Sequence, residues 1–192
     1  MAEIKVPIGV CGRHAHVSRE HLNILYGEGY ELTSIKELSQ PGQFAAQETI
    51  DLVTEKGSFK NVRILGPVRS QSQVEIALTD AVKLGIKPPV RDSGDLKGSP
   101  GVTLVGPKGS VQLNEGVIAA CRHIHMTPED AVRMNVTDKE IVQVRCGGER
   151  GLLFDQVLVR VSPSYQLEMH IDTDEGNAAM IKTGELVNII KK

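Results

Sequence analysis

Two short segments carry most of the chemistry in this sequence. His14-Ala15-His16 and His123-Ile124-His125 each place two imidazoles two residues apart. In an extended strand, residues i and i+2 point to one face, so each pair aims two nitrogen donors at a single point. Imidazole nitrogen suits Zn²⁺ and similar divalent ions, and each segment is therefore a candidate chelate. The surroundings are repeated as well. Cys11-Gly12-Arg13 precedes the first pair and Cys121-Arg122 the second, and Ser18 or Thr127 follows, a hydroxyl able to open a helix. A second echo links Asp80–Ile86 to Asp130–Val136. Together they read as two related β-rich units, each bringing one histidine pair.

A pair needs further ligands. His170, in a strand-like run ahead of a helix cap, reads either as a ligand or as a hydrogen-bonded core histidine. Glu75 lies in an apolar strand and, taken alone, reads as a solvent-facing carboxylate. His21 has the surroundings of a surface helix residue. Cys11 and Cys121 could be soft ligands, but at strand ends they read as small buried fillers outside the ligand sets. Arg13, Arg69 and Arg122 lie near the same motifs. A guanidinium fork matches phosphate oxygens, so they point to an anionic substrate unless carboxylates of the chain claim them. Ser93 and the glycine-rich Lys97–Gly101 are candidate phosphate contacts through hydroxyl and backbone N–H groups. No G-x-S-x-G or G-x-G-x-x-G follows a strand-like run, which excludes the usual serine-hydrolase and dinucleotide patterns.

The elements that must hold these residues are mainly strands. Ile4–Cys11, Thr49–Thr54, Phe59–Leu65, Val102–Val105, Ser110–Leu113, Ile141–Cys146, Leu152–Val161, Gln166–Ile171 and Glu185–Ile190 are apolar or alternating runs. Turn signals come about every ten residues, favouring antiparallel barrels or sandwiches. Thr127-Pro128-Glu129-Asp130 opens one helix, Thr79 is expected to cap Asp80–Leu84 ahead of Gly85, and Asp172 or Thr173 starts another that stops at Gly184. The chain has 192 residues, 3% aromatics and a net charge of -2, so neither stacking platforms nor a basic field for nucleic acid is present. Three cysteines with no leader-like segment, and no run of eighteen apolar residues, imply a reducing cytoplasm and no membrane span.

At this point the motifs resemble the PduL-type phosphate acyltransferases, the phosphate propanoyltransferase family. The resemblance rests on Ile8–Val10 through Arg13–Ser18, Gln40–Gln43, Asn61–Pro67 through Arg69-Ser70 to Val74-Glu75, Arg122–Met126 and Glu168–Glu175. It runs nearly end to end. It implies a mainly β fold of two antiparallel β-barrels capped by short helices, residues 1–12 with 121–192 forming one and 13–120 the other, with the active site between them. It also implies two zinc ions per chain, one on His14, His16 and Glu75, the other on His123, His125 and His170. Arg69 would bind phosphate, with Ser93 near it. A homodimer is expected on the same basis. Six residues precede Pro7, too few for the family's encapsulation helix, so a free cytoplasmic member is expected.

The implied reaction is acyl-CoA plus phosphate giving acyl phosphate plus coenzyme A, with acetyl or propanoyl as the acyl group and direct attack by phosphate. Cys11 and Cys121 keep a covalent acyl-enzyme open. A dinuclear thioester hydrolase and a purely structural zinc protein are the competing readings. Three ligands per ion, against the four of structural sites, favour catalysis.

Overall fold

The computed structural model describes residues 5–190. Ile4, the first residue of the predicted N-terminal strand, lies outside the described residues. In chain order the elements begin β1 (Lys5–Cys11), β2 (His14–His16), α1 (Arg19–Tyr26), β3 (Ser34–Glu37), β4 (Phe44–Val53) and β5 (Ser58–Gly66). There follow β6 (Gln73–Glu75), α2 (Leu78–Leu84), β7 (Val90–Arg91), β8 (Val102–Val105), β9 (Ser110–Leu113) and β10 (Val117–Ala120). The last third carries β11 (His123–Met126), α3 (Pro128–Met134), β12 (Ile141–Cys146), β13 (Leu152–Val161), β14 (Glu168–Asp172), α4 (Thr173–Ala179) and β15 (Leu186–Ile190). The described residues are mainly β, with four short helices, as the turn spacing implies.

It divides into two compact units. The first takes the described residues up to Gly12, Ser39–Pro41 and everything from Cys121 onward. Its strands close into a barrel in the order β1-β14-β11-β13-β12-β15. The core is filled by Val6, Ile8, Ile124, Val144, Val157, Val159 and Met169, all essentially inaccessible to solvent. The second unit takes Arg13–Leu38 and Gly42–Ala120. Its nine strands run β7-β10-β6-β2-β5-β4-β8-β9, with β3 on β4, and this sheet curls without closing. Leu22, Leu25, Ile50, Leu52, Ile64, Val74 and Leu104 form its core.

Both sheets also depart from a purely antiparallel pattern. In the barrel β1 runs parallel to β14 and β11 parallel to β13; in the open sheet β2 runs parallel to β5, and β10 to both β6 and β7. The cause is connectivity. Strands such as β11 and β13 are joined through a helix and a further strand rather than a tight turn, so the chain returns in the same direction.

The repeat seen in the sequence is carried into this topology. In each unit a His-x-His strand lies between a parallel neighbour (β5 or β13) and an antiparallel one (β6 or β14). The strand just before each His-x-His segment belongs to the opposite unit. β1, which leads into β2, lies beside β14; β10, which leads into β11, lies beside β6. This reciprocal exchange has no short-range sequence signal, because it depends on which sheet edge a strand finds.

The local punctuation is mixed. Thr127 caps α3 in a reciprocal capping box with Asp130, and Asp172 does the same for α4 with Glu175. Thr79 does not cap α2. That helix starts two residues earlier than expected, from Ala77, with no side-chain cap, because the chain turns out of β6 almost at once. α4 ends at Met180, in the left-handed region at φ 50, rather than at Gly184; the Met180 N–H closes the last turn on Asn177 and Gly176. No helix among the described residues is long and apolar enough to cross a membrane.

Candidate metal centres

Strand alternation sorts the residues of each His-x-His segment. Ala15 and Ile124, the middle residues, point into the two cores, as do Val74 and Met169 on the neighbouring strands. The histidines therefore face the other side, together with the residues flanking Val74 and Met169. A slip of one residue would exchange the sets, so the core fixes the register that brings the ligand candidates together.

That register is the same in both units. His14 pairs across the strands with Glu75 and His16 with Gln73. His123 pairs with His170 and His125 with Glu168. His14, His16 and Glu75 each offer one ligand atom, all within 4.8 Å of one another, and so do His123, His125 and His170. All six sequence candidates thus fall into two triads. Glu75 is not the solvent-facing strand residue its sequence context suggested. Its side chain is only 14% exposed, and the register of β2 on β6 sets it directly opposite His14.

Hydrogen bonds orient several of the rings. The Nδ1 of His16 lies 3.0 Å from the Leu65 carbonyl, and that of His123 lies 2.7 Å from the Cys121 carbonyl. A carbonyl only accepts, so both Nδ1 atoms carry a proton, which leaves Nε2 as the nitrogen each ring would offer to an ion. The His123 and His125 Nε2 atoms approach to 3.0 Å, while the buried His125 Nδ1 has no hydrogen-bond partner. Imidazole nitrogens gathered this closely, with one ring nitrogen orphaned, form a donor set that fits a divalent ion.

The electrostatics differ between the triads. Burial, then His14 and Arg69, lower the pKa of His16 to about 3. Burial, then His123 and His170, lower that of His125 to about 2. For His170, burial opposes the charged form, but hydrogen bonds to Cys11 and Glu168 prevail and raise its pKa to about 9. Burial of Glu75 favours its neutral form, yet His14, His16, a Ser93 hydrogen bond and Arg69 together hold its pKa below the usual value.

The arginines resolve into two groups. Arg13 is bonded to Asp80 at 2.7 Å and Arg122 to Glu175 at 3.0 Å, so chain carboxylates claim both. Arg69 instead bonds the Ser93 hydroxyl at 3.2 Å, and its backbone N–H is held by the Val17 carbonyl beside the first triad. Ser93 also engages Glu75, placing the two sequence-predicted phosphate contacts against a triad member. The Lys97–Gly101 segment is not a phosphate loop. Buried Ser99 spends its hydroxyl on the Leu96 carbonyl and the Gly116 N–H, which locks a turn. His21 is half-buried rather than at the surface, with Nδ1 2.7 Å from the Ser72 hydroxyl. Cys11 is more than a filler: its Sγ lies 3.7 Å from the Nδ1 of His170.

Sequence reasoning passed over Gln73, Glu168 and Ser39. Gln73, almost wholly buried, donates to Glu75 at 2.5 Å and to Ser93 at 2.9 Å, and accepts from the Gly94 N–H at 2.7 Å. Glu168 accepts from the Nε2 of His170 at 2.7 Å and from the Ser39 hydroxyl. A signal was present: Gln73 and Glu168 each stand two residues before the third ligand candidate, visible once Gln73–Glu75 is set against Glu168–His170.

Comparison with known proteins places this arrangement in a family. Residues 7–182 match the family model for phosphate propanoyltransferase. The chain is 57% identical to a phosphate propanoyltransferase of Thermotoga maritima over 96% of its own length and 88% of the relative's. It is 52% identical to one of Listeria monocytogenes, over its whole length and 90% of the relative's. A third, from Lachnoclostridium phytofermentans, is 54% identical over 96% of this chain and 87% of its own.

Proposed function

This chain belongs to the phosphate propanoyltransferase family of acyltransferases, and we propose that it uses two zinc ions to convert acyl-CoA and phosphate into acyl phosphate and coenzyme A, reversibly. The observation that carries the zinc reading is the pair of triads, each with three donors within 4.8 Å and matching cross-strand register. His14, His16 and Glu75 would hold one ion and His123, His125 and His170 the other. Bound zinc would supply Lewis-acid polarisation of the thioester carbonyl and a soft partner for the departing thiolate.

The chain's own residues supply the rest. Phosphate is already anionic, so it needs positioning more than deprotonation. Arg69, steadied by Ser93 and by the Val17 carbonyl, presents a guanidinium beside Glu75. A phosphate oxygen attacks the acyl carbon, the new acyl–oxygen bond forms as the carbon–sulfur bond breaks, and the electron pair leaves on the thiolate. No covalent acyl-enzyme is needed. Acetyl-CoA and propanoyl-CoA are the proposed acyl donors, in a cytoplasmic homodimer, on the strength of the family resemblance.

The test is thiol release from acetyl-CoA and propanoyl-CoA, with and without phosphate, before and after chelation. Release that requires phosphate and stops on chelation is the expected result. Release without phosphate would make the protein a thioester hydrolase, and release that survives full metal removal would overturn the zinc reading. Arg69→Ala should raise the phosphate KM by about 10-fold or more while keeping both metals. Unchanged phosphate dependence would remove Arg69 from the role.

A further inference from the structure

The two residues missed in the sequence occupy the same place in the two units. Gln73 and Glu168 each precede the third triad member by two, share its face of the strand, and stand opposite the second histidine of the pair, His16 or His125. Each hydrogen-bonds that third member. The polarity of the bond is reversed. In the open sheet the triad member is a carboxylate, and Gln73 supplies an amide donor to Glu75 at 2.5 Å. In the barrel it is an imidazole, and Glu168 supplies a carboxylate acceptor to the Nε2 of His170 at 2.7 Å. Each support is itself anchored by a serine, Ser93 for Gln73 and Ser39 for Glu168.

We propose, building on the two-zinc reading above, that Gln73 and Glu168 are a matched pair of positioning residues, each setting the geometry of the third ligand in its own triad. Glu168, as an acceptor, holds the Nε2 proton of His170, so Nδ1, with the Cys11 Sγ 3.7 Å away, is the nitrogen that would give up its proton to an ion. Gln73 spends one N–H on the Glu75 Oε1, which leaves Oε2, the oxygen 3.5 Å from the His14 Nε2, facing the histidines.

The surroundings are built for these contacts. Gly9, beside His170 on β1, makes room for the Glu168 carboxyl group, since a Cβ there would lie 2.9 Å from its Cδ. The matching position beside Glu75 is Ile118, where no such space is kept. Gln40 holds the strap that carries Ser39, its amide exchanging hydrogen bonds with the Gln166 backbone at 3.0 and 3.2 Å. Gln73 has both N–H groups and its carbonyl occupied, so its amide cannot turn over without losing bonds. On the same strands it is Val74 and Met169 that face the two hydrophobic cores, while Gln73 and Glu168 lie on the opposite face with the triad members.

The experiment measures Zn²⁺ affinity by competition with a chromophoric chelator and the visible absorption of the Co²⁺-substituted protein. Wild type is compared with Gln73→Ala, Glu168→Ala and Glu168→Gln, each also in a His125→Ala or His16→Ala background so that one triad is read at a time. Gln73→Ala should weaken the His14/His16/Glu75 triad about 10- to 100-fold and leave the other as it was. Glu168→Ala should do the converse. Glu168→Gln, nearly isosteric and still able to accept from Nε2, should keep more affinity than Glu168→Ala, with a shifted Co²⁺ spectrum. Wild-type affinity and unchanged spectra in all three variants would overturn the inference while leaving the two-zinc reading intact. Equal weakening of both triads by each variant would also overturn it, as general destabilisation. A wild-type protein that takes up no metal would overturn both.

Discussion

The two triads share a frame but not a charge distribution. Each joins a His-x-His strand to an antiparallel neighbour whose third ligand candidate stands directly opposite the first histidine. In the open sheet the carboxylate, Glu75, belongs to the triad. In the barrel the triad is all imidazole, and the carboxylate, Glu168, lies one hydrogen bond further out. An ion on His14, His16 and Glu75 would have one positive charge neutralised directly; an ion on three imidazoles would keep its full charge and act as the stronger Lewis acid. One frame used twice can thus hold two ions of unequal character. Such an inequality suits a reaction in which an anionic nucleophile must be placed while a carbonyl is polarised.

The largest expected effect tests whether both triads serve the reaction. His16→Ala and His125→Ala should each bind one zinc in place of two and fall below about 1% of wild-type activity, a loss of ~2.7 kcal/mol or more in transition-state stabilisation. Metal analysis and thiol-release assays on the same preparations check this. If either variant lost its metal and stayed active, that triad would be structural, and the parallel between the units would be one of ancestry rather than mechanism.

A smaller effect sharpens the electrostatic contrast. His170, with a pKa raised to about 9, carries an extra proton at pH 7.5 in the metal-free protein. Zinc needs the lone pair that proton occupies, so filling the barrel triad should release about one proton from His170. His16, lowered to about 3, and Glu75, held below its usual value, have no proton to give at that pH. The sign follows: a raised pKa makes protons competitors below it, so barrel-triad affinity should rise with pH up to about 9, by at most about tenfold per unit, and then level off. Zinc titration calorimetry of single-triad variants in buffers of different ionisation enthalpy would show the difference. Equal proton release from both triads would contradict it.

Much of this was legible in the chain because it is local. The i, i+2 spacing of the histidines, the Thr127–Asp130 box and the Gly106–Gly109 hairpin all follow from preferences acting over four or five residues. What was not legible depends on partners far away. Glu75 meets His14 across 61 positions, and only the register of β2 on β6 decides that it faces inward. Gln73 and Glu168 carry no residue-type signal for a metal-site role; their meaning comes from the strand they share with a ligand candidate. Thr79 shows the reverse failure, a good local cap signal overridden by where β6 lets the chain turn. The parallel pairing of β1 with β14 and of β10 with β6 has the same origin, since the exchange of β1 and β10 is settled by sheet edges rather than by turns.

The smallest expected effect concerns the helices that follow the two histidine strands. Ser18 and Thr127 sit at equivalent caps with nearly identical backbone angles, φ -75, ψ 162 and φ -76, ψ 164. Ser18 accepts from the His21 N–H alone, whereas Thr127 accepts from Asp130, whose carboxylate reaches back to the Thr127 N–H and hydroxyl. The Ser18 N–H is held instead by Ser72, whose hydroxyl also meets His21. Each cap lies two residues past a His-x-His pair, so fraying there loosens the end of the strand that aims the imidazoles. Ser18→Ala and Thr127→Ala should each cost about 1 kcal/mol, read as a drop of about 2–4 °C in the melting temperature, with two zinc ions retained. Thr127→Ala should cost the more, because it also strips a hydrogen bond from a carboxylate that is only partly exposed. If zinc affinity at the neighbouring triad fell along with the melting temperature, the repeated unit would have to be drawn wider, as strand, cap and helix together.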